Sequence, residues 1–157
     1  MINGPFTRET VAGLPLFDVV VFADVLEHLV DPAAALELAR SLLAPGGCVV
    51  ASVPNVAHWS VRLDLLRGRF DYRELGIMDA THLRWFTAEN LKRVFRSAGL
   101  EVEQYAGSAG LWMSDYENRR PFKWLGAARR EQLVLAGLRR WPGLFACQHV
   151  VKAVPRP

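Results

Sequence analysis

The sequence predicts an open α/β fold built on a largely parallel sheet, and three observations carry that prediction. The apolar, β-branched run Val19-Val20-Val21-Phe22-Ala23 is too short for a buried helix and reads as a strand covered on both faces. A second run of the same kind occupies residues 48–53. Between them Asp31-Pro32 opens a segment with apolar residues at helical spacing. Strand, helix and strand make one βαβ unit, whose strands are parallel and joined by a right-handed crossover.

Length and composition set the frame. The 157 residues, 51% hydrophobic and 22% charged, suit one globular domain with a sizeable core. A formal net charge of +3 does not by itself argue for nucleic acid. Cys48 and Cys147, far apart and outside any CxxC or Cys/His cluster, exclude a disulfide framework and a structural zinc site, and they fit a reducing cytosol. The first residues lack a signal-peptide pattern, and the longest apolar runs are too short to span a bilayer. A soluble, cytoplasmic protein is expected.

Taken in order, residues 1–16 carry Gly4, Pro5, Gly13 and Pro15 without a period and read as a loop. The helix after the first strand has Asp31 as N-cap, Pro32 at its first position and a stripe of Leu36, Ala39, Leu42 and Leu43. Pro45-Gly46-Gly47 stops it. After the second strand a short amphipathic helix covers residues 59–66, and residues 73–86 form a long irregular insert of the kind that serves as a lid. Thr87 caps the next helix, whose stripe is Leu91, Val94, Phe95 and Ala98, and Gly99 ends it. Residues 100–105 alternate as a strand, residues 127–140 are helical, and residues 144–153 form the last strand. The layout is one domain: an N-terminal loop (1–16), a core (17–106), a basic insert (107–143) and a last strand with its tail (144–157).

The chemistry concentrates at the tip of the first strand, where Asp24, Glu27 and His28 follow one another. Open parallel sheets bind ligands beyond the carboxyl ends of their strands. If a helical turn begins at Asp24, these three share a face, and two carboxylates with an imidazole suit Mg²⁺ or Mn²⁺. A pocket wall or a helix start is the plain reading of Glu27 and His28. Of the other histidines, His58 fits a helix start and His149 a structural place in the last strand. Trp59, Phe70, Trp85 and Phe86 would pack an aromatic acceptor or simply the core. Residues 119–140 hold seven Lys or Arg against Glu131 alone, interleaved with Trp124, Leu133 and Trp141. A phosphate-bearing acceptor, RNA or an anionic membrane would be served by such a surface. A solvated helix face is the expected reading, a membrane surface the lesser alternative, and nucleic acid is not expected.

Three motifs in order carry a family resemblance. Phe17-Asp-Val-Val-Val-Phe-Ala-Asp-Val-Leu-Glu-His-Leu29 resembles the fourth-strand motif of class I S-adenosylmethionine-dependent methyltransferases. Leu43-Ala-Pro-Gly-Gly-Cys-Val-Val-Ala-Ser-Val-Pro-Asn55 resembles their fifth-strand motif, and Asp79-Ala-Thr-His-Leu-Arg-Trp-Phe-Thr87 with Ala98-Gly-Leu-Glu-Val102 looks like the segment that follows in bacterial members. The resemblance implies a partial Rossmann-like sheet, the family's fourth to seventh strands with the last antiparallel, and S-adenosylmethionine as cofactor. It also implies roles. Ala23, Asp24 and Val25 would line the methionine end of the cofactor with His28 beside them. Asn55 and His58 would face the acceptor, and Asp79 and His82 on the lid would orient or deprotonate it. Asp24, His58, Asp79 and His82 thus form the expected catalytic set. Asp24-x-x-Glu27-His28 is also similar to the Glu-x-x-Glu-His motif of metal-dependent small-RNA and ubiquinone-pathway O-methyltransferases, with His82 as fourth ligand and Asp24 replacing the first Glu.

The departure concerns the cofactor. The family's Gly-rich turn after the first strand and the acidic residue ending the second are absent, and Gly107-Ser-Ala-Gly110 follows the wrong strand to replace the turn. At ~30 residues per βα unit, about 90 residues ahead of Phe17 are missing from the pattern, so the chain looks like the C-terminal half of the fold. Residues 19–22 would then form an unpaired apolar edge, to be covered by a second copy in a homodimer, a partner chain or the N-terminal residues. Three functions follow: methyl transfer to a small-molecule or lipid- or saccharide-linked acceptor, a remnant or binding module without catalysis, or metal-assisted O-methyl transfer.

Overall fold

The computed structural model describes residues 4–111, 115–120 and 122–156. Strands β1 (Phe17–Ala23), β2 (Leu43–Pro54), β3 (Leu100–Ser108) and β4 (Gln148–Pro155) form one sheet in the order β1-β2-β4-β3. β1 and β2 are parallel, and β4 runs antiparallel to both of its neighbours. Helices α1 (Arg8–Val11), α2 (Pro32–Ser41), α3 (Trp59–Leu66), α4 (Ala88–Ser97), α5 (Asp115–Asn118), α6 (Ala127–Arg140) and α7 (Pro142–Phe145) flank it. The α/β class and the antiparallel last strand are as expected.

Capping and burial explain the central helices. Asp31 accepts a hydrogen bond from the Ala34 amide at 3.0 Å, with Pro32 already at the helical φ, so α2 starts where it does. Thr87 and Asn90 cap α4 reciprocally. Leu36 and Ala39 of α2 meet Leu91 and Phe95 of α4 over Val49, Ala51 and Val53 of β2 and Val151 and Ala153 of β4. Fully burying a side chain such as Leu91 or Phe95 stabilises by about 1.5–3 kcal/mol, so this cluster is the principal core.

Two smaller clusters hold the connecting segments. Val61, Ile77, Met78 and Cys147 pack together under the insert of residues 73–86. Tyr116, Phe122 and Val134 pack with Trp59, and Arg119 grips Asp64 through two 2.7 Å contacts, fixing the chain around α5 to α3.

Several expectations change. β1 stands at the edge, as the resemblance implies, but it is not covered on both faces: Val19 and Val21 are 49% and 61% exposed while Phe22 is buried. Residues 1–16 are not all loop, because Thr7 and Thr10 form a capping box that starts α1, and Phe6 meets Phe22 edge-on at 5.9 Å. α2 ends before Pro45, at Ser41, and β2 begins at Leu43. Its ladder with β1 jumps from Phe17↔Leu43 to Val19↔Cys48, so Ala44 to Gly47 bulge out of register. Gly47 is required there, since a Cβ would lie 2.9 Å from the carbonyl oxygens of Ala44 and Phe17. β3 runs on to Ser108, and Leu144 and Phe145 belong to α7, so the last strand starts at Gln148.

Candidate active site

A hollow of about 260 Å³ opens beyond the carboxyl ends of β1 and β2. Asp24, Glu27 and His28 supply one wall, Leu75, Gly76, Ile77, Asp79 and His82 from the insert another, and Pro54, Cys147 and Gln148 the floor. Ligand pockets usually measure about 300–1,000 Å³, so this hollow accommodates part of a ligand.

Asp24 does not begin a helical turn. Its φ is +51°, a left-handed conformation that Asp tolerates better than most residues. The Asp24 amide is held by the Ser52 Oγ at 3.1 Å, and the carboxylate accepts from Gln148 Nε2 at 2.8 Å. A 3₁₀ turn, Leu26–His28, follows and buries Glu27 while His28 stays exposed. The condition for a shared helical face of Asp24, Glu27 and His28 is therefore not met, because the positive φ turns the chain before the helix starts.

Three of the four residues expected as metal ligands do come together, without Asp24. Glu27, His28 and His82 each offer one ligand atom, and these atoms lie within 4.8 Å of one another. His28 Nδ1 donates to the Thr81 carbonyl at 3.2 Å and His82 Nδ1 donates to the Ile77 carbonyl at 3.2 Å. A carbonyl only accepts, so both protons sit on Nδ1 and both Nε2 lone pairs are available. Glu27 is 1% exposed, and neither of its carboxylate oxygens meets a donor among the described residues. Burial raises its pKa to about 7, with the Asp24 charge adding to the shift. Burial lowers the His82 pKa, so its imidazole is neutral at physiological pH.

The insert is tied to this turn. The Leu83 and Arg84 amides both donate to the Glu27 carbonyl, at 2.8 and 3.0 Å, and Arg84 Nη2 donates to the Val30 carbonyl at 2.7 Å. The Asp79 carboxylate accepts from the Thr81 amide and hydroxyl, at 2.8 and 2.6 Å, which lowers its pKa and keeps it ionised.

Asp24, His28, Asp79 and His82 thus reach the hollow, whereas Ala23 and Val25 flank the strand tip without lining it. His58 and Asn55 do not face the hollow. His58 is fully buried as the N-cap of α3: Nδ1 accepts from the Ser60 amide and Nε2 lies 2.9 Å from the Tyr116 hydroxyl. Burial, helped by the Arg119 charge, lowers its pKa to about 3. Asn55, also fully buried, donates to the Gly143 and Ala146 carbonyls and accepts from the Ala57 amide. Asn55 is tied inward to the Gly143 and Ala146 carbonyls, and His58 to Ser60 and Tyr116. Cys147 and Gln148 were missed among the lining residues. Their signal was the antiparallel last strand, whose first residue pairs with Pro54 at the tip of β2.

An α/β sheet with an acidic strand tip over a hollow that takes part of a ligand defines a class of small-ligand-binding domains. Residues 6–105 match the family model described as a methyltransferase domain, and the chain belongs to that family, whose cofactor is S-adenosylmethionine. It is 32% identical over 91 residues to a ubiquinone biosynthesis O-methyltransferase from Thiobacillus denitrificans, covering 58% of this chain and 39% of that one. It is 38% identical over 96 residues to a Mycolicibacterium smegmatis protein named "Probable S-adenosylmethionine-dependent methyltransferase", covering 57% and 37%. The chain thus spans well under half the length of these relatives. The CcbJ methyltransferase from Streptomyces caelestis shares the fold at a TM-score of 0.51 and 18% identity, over 92% of this chain and 59% of that one. No helix among the described residues is long and apolar enough to cross a membrane.

Proposed function

We propose that this chain carries the acceptor side and the methionine-binding end of an S-adenosylmethionine-dependent methyltransferase acting on a small-molecule acceptor. One observation carries the reading: the family's fourth-strand tip ends here in a left-handed Asp24 held by Ser52 and Gln148 at the mouth of a hollow. The residues fit part of the cofactor. Asp24, with one carboxylate oxygen engaged by Gln148, suits the ammonium of the methionine moiety, and His28 adds a polar wall. The Gly-rich turn and ribose-binding carboxylate have no counterpart in the sequence.

When bound, the cofactor's sulfonium supplies an electrophilic methyl group. The protein's share is positioning and proton removal. His82, neutral and with Nε2 unprotonated, takes the acceptor's proton; Asp79 stays charged and holds the Thr81 loop; the buried Ile77 gives the hollow an apolar wall. The outward side of β1, apolar and unpaired among the described residues, is where a second copy or a partner chain would complete the sheet. The free thiols Cys48 and Cys147 fit a cytoplasmic setting. Titration calorimetry with S-adenosylmethionine tests the proposal. Saturable binding, lost in Asp24→Ala by about tenfold or more for a charge-assisted contact, is the expected result. Absence of binding at millimolar cofactor would favour a non-catalytic remnant.

A second reading, metal-assisted O-methyl transfer, is favoured by the trio of Glu27, His28 and His82. Two imidazole lone pairs and a buried carboxylate without a donor suit a divalent ion. Mg²⁺, Mn²⁺ or Zn²⁺ at a hundredfold excess over Kd is then expected to stabilise the chain by about 2.7 kcal/mol. The gain is read as a rise in melting temperature that chelator reverses and His82→Ala removes.

A further inference from the structure

The outer face of α6 has no role in the site above, and its composition is one-sided. At 3.6 residues per turn, Arg129, Leu133, Ala136 and Arg140 align on one stripe, with Arg139 beside it. Arg129, Leu133, Ala136, Arg139 and Arg140 are all exposed, while Val134 and Gly137 are buried, so this stripe faces solvent. Glu131, the helix's one carboxylate, lies about half a turn away from the stripe. Among the described residues Arg129, Arg139 and Arg140 make no ion pair, whereas Arg130 is paired with Glu117 at 3.4 Å.

Tryptophans bracket the helix. Trp124 and Trp141 are 65% and 55% exposed, and Leu133 between them is 47% exposed. Arg120 sits over the Trp124 ring at 4.6 Å and Arg140 over the Trp141 ring at 5.4 Å. Exposed Trp with a guanidinium on its face combines an apolar body with a cation held at the same depth. That pairing suits a bilayer interface, where the ring enters the headgroup region and the guanidinium meets lipid phosphate. It suits a nucleic acid less, because the ring faces on which bases would stack carry the arginines.

We propose that α6 and its two flanking tryptophans dock the chain peripherally on an anionic phospholipid bilayer. The occupant is chosen by charge complementarity: an unpaired arginine stripe opposite a negatively charged leaflet, with Trp124, Leu133 and Trp141 as the apolar contact. The helix lies on the membrane rather than across it.

Flotation of the chain with phosphatidylcholine vesicles, with and without phosphatidylglycerol, tests this. Partition is expected only with phosphatidylglycerol and is expected to weaken as salt is raised. The variant Arg129→Glu/Arg139→Glu/Arg140→Glu should lose about a hundredfold or more in partition coefficient, at roughly one decade per 1.4 kcal/mol and about 1 kcal/mol per basic residue. Brominated lipids should quench tryptophan fluorescence in the wild type, and Trp124→Phe/Trp141→Phe should abolish that quenching. An unchanged circular dichroism spectrum would show that both variants fold, and the salt titration of the wild type needs no variant. Failure to float with phosphatidylglycerol, partition unaffected by the arginine changes, or binding of single-stranded RNA in place of vesicles would each overturn the proposal.

Discussion

Replacing Glu27 by Gln is expected to stabilise the metal-free chain by about 3 kcal/mol above neutral pH, with the gain fading toward pH ~4.5. The carboxyl is buried without a donor, and its pKa rises from the ordinary 4.5 to about 7. At about 1.4 kcal/mol per pKa unit, that difference sets the magnitude. The folded state holds the proton more tightly than the unfolded chain. The favourable contribution is therefore complete below the unfolded pKa and is lost as pH rises through about 7. Gln cannot ionise and escapes that loss. His58 and His149, whose pKa values burial lowers to about 3 and about 4, act in the opposite sense. They are buried neutral, so their contribution is present above the ordinary histidine pKa and declines in acid. The difference between wild type and Glu27→Gln isolates the carboxyl. Urea melts across the pH range with chelator present read it directly, and two parallel profiles would refute it.

The second large effect belongs to Asn55. Asn55→Ala is expected to cost about 3–5 kcal/mol, since the fully buried side chain makes three hydrogen bonds and each stranded buried partner costs about 1–3 kcal/mol. The change leaves the Gly143 and Ala146 carbonyls and the Ala57 amide without a partner, and it loosens α7 from the end of β2. Asn55→Asp should be at least as damaging at neutral pH, because a carboxylate would face two carbonyl oxygens. Chemical denaturation measures both. A residue that instead touched the acceptor would spare stability and change only ligand affinity.

Local pattern carried most of the fold. α3 and α6 fall where their spacing and flanking residues put them, at Trp59–Leu66 and Ala127–Arg140, and the Thr87 cap starts α4 as expected. The errors arise where a local signal meets a long-range one. The apolar run of β1 reads the same whether neighbours cover it or it stands at an edge. The pair Leu144-Phe145 looked like strand because it is apolar, yet Pro142 begins a helical turn there. At the site, the cluster after β1 and the lid residues Asp79 and His82 were legible from type and position. His82 was expected beside Glu27 and His28 as a fourth ligand; that Asp24 falls outside their group was not legible, because it depends on the sign of one φ. His58 and Asn55 carried chemically capable groups at the right strand end, but only tertiary packing shows that their polar atoms are consumed by backbone and by Ser60 and Tyr116.

The three bonds from Leu83 and Arg84 to Glu27 and Val30 have one more consequence. They make the first strand's exit and the far end of the insert a single mechanical linkage, with Glu27 as its pivot. A guest that shifts the Glu27 backbone moves Leu83 and Arg84 with it, and a guest that lifts those residues moves the Glu27 backbone. The two walls of the hollow travel together, so admission and backbone movement at this tip are one motion.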